Sequence, residues 1–124
     1  MALTYAIVFV SDMSRSVRFY RDVLGLDLKF ETSHWTEFAT GAATLALHLA
    51  ETRGVGRASS ELPAGSCRPG LTVPDLTAFH ARMLENGVPC LQAPKETFGV
   101  RIAQYADPDG LTLSISEERP PQVG

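Results

Sequence analysis

The stretch F9-V-S-D-M-S-R-S-V-R-F-Y-R-D-V-L-G25 decides the fold, because it returns later in the chain as T72-V-P-D-L-T-A-F-H-A-R-M-L-E-N-G87. In the first copy a strand-like apolar run, YAIVFV, ends at Asp12. Asp12 then opens a helix whose apolar residues Met13, Val17, Tyr20 and Leu24 fall at helical spacing, and Gly25 closes it. The second copy repeats each signal: Val10, Asp12 and Met13 match Val73, Asp75 and Leu76 at an offset of 63. An aspartate caps each helix by accepting hydrogen bonds from its first free N–H groups.

The flanking sequence extends the repeat. After the first helix come three alternating runs, LDLKFE, HWTEFAT and ATLALHLA, the last two joined by a tight turn at Gly41 and Ala42. A polar, glycine-containing loop leads to RPGLTVP, the second helix, and the strands VPCLQ, GVRIAQYA and LTLSISE. Late in the repeat the offset reads as 66, matching Leu45, Leu47, His48 and Leu49 with Leu111, Leu113, Ser114 and Ile115. The order is βαβββ twice, and agreement at several levels marks a duplication. The expected architecture is α+β: two βαβββ modules forming an open, curved mixed sheet around a cleft, with helices on the outer face. The single domain spans 1–124, with modules at 1–50 and 67–118, a linking loop over 51–66 and a tail over 119–124.

Composition narrows the partners. Eleven Lys and Arg against fourteen Asp and Glu give a net charge of −3, which provides no basic field for nucleic acid. No apolar run approaches the roughly twenty residues that cross a bilayer, so no membrane partner is expected. Two cysteines, Cys67 and Cys90, form no disulfide framework, and the N-terminus carries no secretory pattern; a cytoplasmic location follows as the expectation. The expected partner is a small organic molecule.

Strand parity selects the residues that would meet it. Each helix covers one sheet face, so the uniformly apolar residues Leu45, Leu47 and Leu49 lie against it, while Ala46 and His48 point away. Pairing through the turn sets Phe38 opposite Leu45, Glu37 opposite Ala46 and Trp35 opposite His48. On the first strand Ala6, Val8 and Val10 face the helix, and Tyr5, Ile7 and Phe9 face away. In the last hairpin Leu113, Ile115, Val100 and Ile102 are read as inward. The expected ligand-binding face therefore collects Tyr5, Trp35, Glu37, His48, Arg68, Arg101, Tyr105 and Ser114. His80 is read as solvent-facing, and the DPDG turn at 107–110 as structural.

The motif V-x-D-M-x-x-S-V-x-F-Y-x-D-V-L-G-L, the run TLALHLA and the near-terminal DPDG before an alternating strand resemble the vicinal oxygen chelate superfamily. That group includes glyoxalase I, bleomycin-resistance proteins and extradiol dioxygenases. The resemblance implies paired βαβββ modules around a cavity, commonly in a homodimer. It also implies four metal-binding strand positions, which carry over to Tyr5, His48, Arg68 and Ser114. Only His48 is a good ligand for zinc, nickel or manganese, since Arg stays protonated and Tyr and Ser bind such ions poorly. The resulting expectation is a protein without a metal cofactor that sequesters a small molecule. Arg68 and Arg101 would fork onto an anionic or carbonyl-bearing group, while Trp35 and Tyr5 stack on its flat part. The alternatives are a glyoxalase-like lyase or isomerase, or a dioxygenase, using a divalent metal, and a metal-free enzyme with His48 as general base oriented by Glu37.

Overall fold

Two aspartates organise the chain at the points where strand becomes helix. In the computed structural model, which describes residues 1–51, 64 and 66–119, Asp12 is extended and its side chain accepts the Arg15 N–H at 3.0 Å. Asp75 repeats the geometry with the Ala78 N–H at 3.0 Å. Caps of this type stabilise a helix by about 1 kcal/mol. The elements are β1 (Tyr5–Val10), α1 (Met13–Arg18) with a wider π-helical turn over Phe19–Val23, β2 (Asp27–Glu31), β3 (Trp35–Ala39) and β4 (Thr44–Leu49). They are followed by β5 (Gly70–Val73), α2 (Leu76–Glu85), β6 (Cys90–Thr97), β7 (Val100–Ala106) and β8 (Thr112–Glu117). Gly25, at φ +86°, supplies the left-handed residue that ends the first helical segment.

The chain forms two compact units, Met1–Leu62 and Pro63–Gly124, each with its own four-stranded mixed sheet. The strand order is β1-β4-β3-β2 in one and β5-β8-β7-β6 in the other, with the first pair parallel and the rest antiparallel. This is the α+β arrangement of two βαβββ modules. Most of the expected linking segment 51–66 and of the tail 119–124 lies outside the described residues.

In the first unit the helix covers the face bearing Val8, Leu45, Leu47 and Phe38. Tyr20 packs its ring 6.1 Å from Phe38, and Thr36 Oγ1 donates to Met13 Sδ at 3.3 Å. Tyr20, Phe38 and Leu47 are fully buried, each contributing on the order of 1.5–3 kcal/mol. The expected cross-strand pairs Phe38–Leu45, Glu37–Ala46 and Trp35–His48 are present. The connection is longer than the expected two-residue turn: Ala39 pairs with Thr44, leaving Thr40–Ala43 as a four-residue loop in which Thr40 Oγ1 donates to the Ala43 carbonyl.

The second unit corrects the parity of β7. Ala103 and Tyr105 pair with Ile115 and Leu113, and all four are fully buried on the helix side. The Tyr105 ring meets Phe79 edge-on at 5.6 Å, and its hydroxyl hydrogen-bonds with His80 Nδ1 at 2.8 Å. His80 is thus half-buried against the sheet rather than solvent-facing. Arg101 shares this side, where its Nη1 donates to Thr77 Oγ1 at 3.2 Å and to Glu117 Oε2 at 3.3 Å. That carboxylate also accepts the Leu76 N–H at 2.8 Å, at the start of α2. Val100, Ile102 and Gln104 therefore take the open face. A tyrosine serves as core here because its hydroxyl has a partner.

Pairing also resets the repeat. With β1 and β5 offset by 63, Ile7 corresponds to Gly70, and their partners on the last strands are Ala46 and Ser114. The last strands are thus related by 68, from Thr44–Leu49 to Thr112–Glu117. Ala46 is the equivalent of Ser114, and His48 the equivalent of Ser116.

Burial raises the Tyr105 phenol from 10.0 to about 12, and the neighbouring Cys90 adds to the shift. Unfolded chains lose this proton first, so stability is full below pH 10.0 and falls as pH rises toward about 12. Denaturant unfolding across this range, compared between the native chain and Tyr105→Phe, is expected to show a stability component that the variant lacks. Parallel curves for the two chains would contradict the buried placement.

Candidate functional site

Register turns the uncovered face of the first sheet into three cross-strand rows. Phe9, His48 and Trp35 form one row; Ile7, Ala46 and Glu37 the next; Tyr5, Thr44 and Ala39 the third. Side chains two positions apart stand about 6.5 Å from one another along a strand. The first row is a band of rings: the His48 imidazole lies 5.2 Å from Phe9 and meets Trp35 edge-on at 5.8 Å and 89°. In the middle row Ala46 is fully buried between its larger neighbours Ile7 and Glu37. Phe9, Ile7 and Tyr5 are 62%, 49% and 47% exposed. Three large apolar side chains in successive same-face positions make an exposed patch of the kind that takes a ligand or partner.

The polar groups on this face are fixed by one another. Glu37 accepts a 2.8 Å hydrogen bond from the Trp35 indole N–H at Oε2, and Lys29 Nζ lies 3.6 Å from Oε1. The ammonium also donates to Thr44 Oγ1 at 3.3 Å. The carboxylate is nearly buried, so these contacts offset its desolvation. Lys29 was not among the expected site residues. It reaches the face because the β2–β3 register slips between Leu28 and Phe30, and such a bulge re-aims a side chain.

His48 is oriented by backbone rather than by Glu37. Its Nδ1 lies 2.7 Å from the Leu49 carbonyl oxygen, which only accepts. Nδ1 therefore carries a proton, and in the neutral ring Nε2 holds the lone pair. Among the described residues Nε2 has no hydrogen-bond partner.

Of the eight expected residues, Tyr5, Trp35, Glu37 and His48 share this one face. Ser114 lies on the uncovered face of the second sheet, in register with Gly70 and Gln104. Its neighbours there include Thr72 and Ser116, whose hydroxyls are 3.1 Å apart. Arg68 is exposed just before β5. Arg101 and Tyr105 are on the helix side, so the paired-arginine arrangement does not form. His34 is exposed, with Nδ1 against Ser33 Oγ.

Among the described residues the donor set does not fit a metal cage. Tyr5, His48, Arg68 and Ser114 supply one good ligand, and pairing makes Ala46, a methyl group, the counterpart of Ser114. Among the described residues no three His, Cys, Asp or Glu side chains converge. Cys67 and Cys90 are free and exposed, and no described helix is long and apolar enough to cross a membrane.

Comparison with known proteins agrees with the fold. The family model described as Glyoxalase/Bleomycin resistance protein/Dioxygenase superfamily matches residues 2–115. Virulence protein STM3117 of Salmonella typhimurium is 25% identical over 119 residues, 93% of this chain and 83% of that protein. A protein of unknown function from Agrobacterium tumefaciens superposes with TM-score 0.77 at 26% identity, covering 96% and 95% of the two chains. A lactoylglutathione lyase from the same organism superposes with TM-score 0.73 at 19% identity, covering 94% and 92%.

Trp35→Phe removes the indole donor and leaves the Glu37 carboxylate to Lys29 alone. Urea denaturation followed by far-ultraviolet circular dichroism is expected to register a loss of about 1–3 kcal/mol. An unchanged midpoint would show that the indole hydrogen bond does not hold the carboxylate.

Proposed function

The chain belongs to the Glyoxalase/Bleomycin resistance protein/Dioxygenase superfamily, and from that membership we propose a metal-independent binding protein that sequesters a small organic molecule. The ligand lies on the uncovered face of the first module, and the working form is a cytoplasmic homodimer. One observation carries the reading: the first-module position that corresponds to Ser114 carries the methyl of Ala46, and the face around His48 is instead walled by rings. Aromatic side chains with a few fixed polar groups suit an organic ligand. On that face recognition of an anionic or carbonyl-bearing group falls to the Tyr5 hydroxyl, while in the second module Arg101 is engaged by Thr77 and Glu117.

The free Nε2 of His48 favours a second reading, a metal-free enzyme. With Nδ1–H held by the Leu49 carbonyl, Nε2 is the nitrogen able to take a proton from a bound substrate. In that case His48→Gln abolishes turnover of a confirmed substrate; unchanged turnover excludes the role.

Trp35 is the only tryptophan of the chain, so its emission reports the site directly. Purified protein dialysed against chelator is expected to retain no stoichiometric metal and to change its emission saturably with a binding metabolite, with a matching rise in melting temperature. A stoichiometric metal that survives dialysis overturns the proposal.

A further inference from the structure

We infer that the first module's face selects a planar aromatic molecule carrying a hydrogen-bond donor, a phenol or an aromatic N–H, which it gives to His48 Nε2. The inference rests on the binding role proposed above and deepens it by naming the ligand class. It has three independent supports on the same face.

The first is the tautomer. The Leu49 carbonyl at 2.7 Å claims the Nδ1 proton, so the neutral ring presents an acceptor, and a ligand atom that meets it must be a donor. The second is the ring's confinement. Phe9 at 5.2 Å and Trp35 at 5.8 Å flank the imidazole from the two neighbouring strands. An imidazole held on two sides and by one nitrogen loses little further freedom on binding, so more of the hydrogen-bond energy appears as affinity.

The third is the saturation of the neighbouring row. Ala46 lies in register between Ile7 and Glu37 and is fully buried, whereas Phe9 is well exposed, so the surface open to a ring is the band of Phe9, His48 and Trp35. Glu37 is already supplied with donors by Trp35 Nε1 and Lys29. His48 Nε2 is therefore the acceptor still unsatisfied in this band, and a ligand lacking a donor leaves it without a partner. Sites built to hydrogen-bond a ligand reject analogues that lack the matching group.

The test titrates the full chain by calorimetry, at near-neutral pH, with 2-naphthol and with its methyl ether, which keeps the planar ring and removes the donor. The naphthol is expected to bind about fivefold to tenfold more tightly, the factor one net hydrogen bond is worth. In His48→Phe, which keeps a ring and removes the acceptor, the two compounds are expected to bind alike. The Nε2 nitrogen resonance of His48 in the native chain is expected to move with the naphthol and not with the ether, a readout independent of whether the variant folds. Equal binding of the two compounds to the native chain, or a naphthol preference that persists in His48→Phe, overturns the donor assignment and leaves the binding role standing. Binding of neither overturns the inference together with the reading of this face as a ligand site.

Discussion

The structure of the first module depends on the alternation of side chains along β4, a strand hydrogen-bonded on both edges, to β1 and to β3. Leu45 and Leu47 are pinned beneath the helical segment with Phe38 and Val8, and period-two geometry then forces Ala46 and His48 to the opposite face. A one-residue slip would bury the imidazole under α1 and expose Leu47. It would forfeit about 1.5–3 kcal/mol for each leucine side chain and add the cost of a buried unpaired polar group. The core therefore fixes where His48 stands. Its neighbours follow, because register with β1 and β3 brings Phe9 and Trp35 alongside.

The second module obeys the same constraint with different content. Leu113 and Ile115 occupy the positions beneath α2, and Ala103 and Tyr105 complete that side. The uncovered side carries Ser114, Ser116, Thr72 and Gln104 beside the aliphatic Val100 and Ile102, with no aromatic ring among them. Duplication preserved the frame, the capping aspartates and the parallel first-to-last strand pairing. The faces diverged, one toward aromatic rings around a histidine and the other toward small polar groups that bond one another, as in the Thr72–Ser116 contact.

How much of this was legible in the sequence depended on whether a shift was odd or even. The first module was readable because HWTEFAT and ATLALHLA alternate strictly, which fixes face and pairing together; even the misjudged turn length left the register intact. Aligning the last strands at an offset of 66 instead of 68 is a two-residue error, and alternation is blind to it. Ser114 was therefore assigned to the correct face but matched with His48 instead of Ala46. In β7 the shift is odd. Gln104 is the counterpart of Glu37 and Tyr105 that of Phe38, an offset of 67, so the face inverted. Apolarity misled there, since Val100 and Ile102 look more core-like than Tyr105 does. The signal that would have corrected it was His80 at the fourth position after Leu76 in α2, able to satisfy a buried tyrosine hydroxyl. Lys29 was hidden by a bulge, a feature that strand periodicity does not encode.

The register of β4 changes what His48 is for. Matched with Ser114, it is the one good ligand of a metal set that the resemblance implies. Once Ala46 takes that place, no ancestral coordination duty is needed to account for the imidazole, and its environment has to account for it. A metal-binding histidine commonly donates the N–H of its second nitrogen to a neighbouring acceptor so that the first nitrogen can coordinate. The Leu49 carbonyl performs the same service here, yet among the described residues no three His, Cys, Asp or Glu side chains converge to hold an ion. What gathers is Phe9 and Trp35. Oriented lone pair and aromatic walls together are complementary to a flat molecule with a polar hydrogen on its rim, and the same backbone contact that would prepare a ligand for a metal prepares an acceptor for that hydrogen.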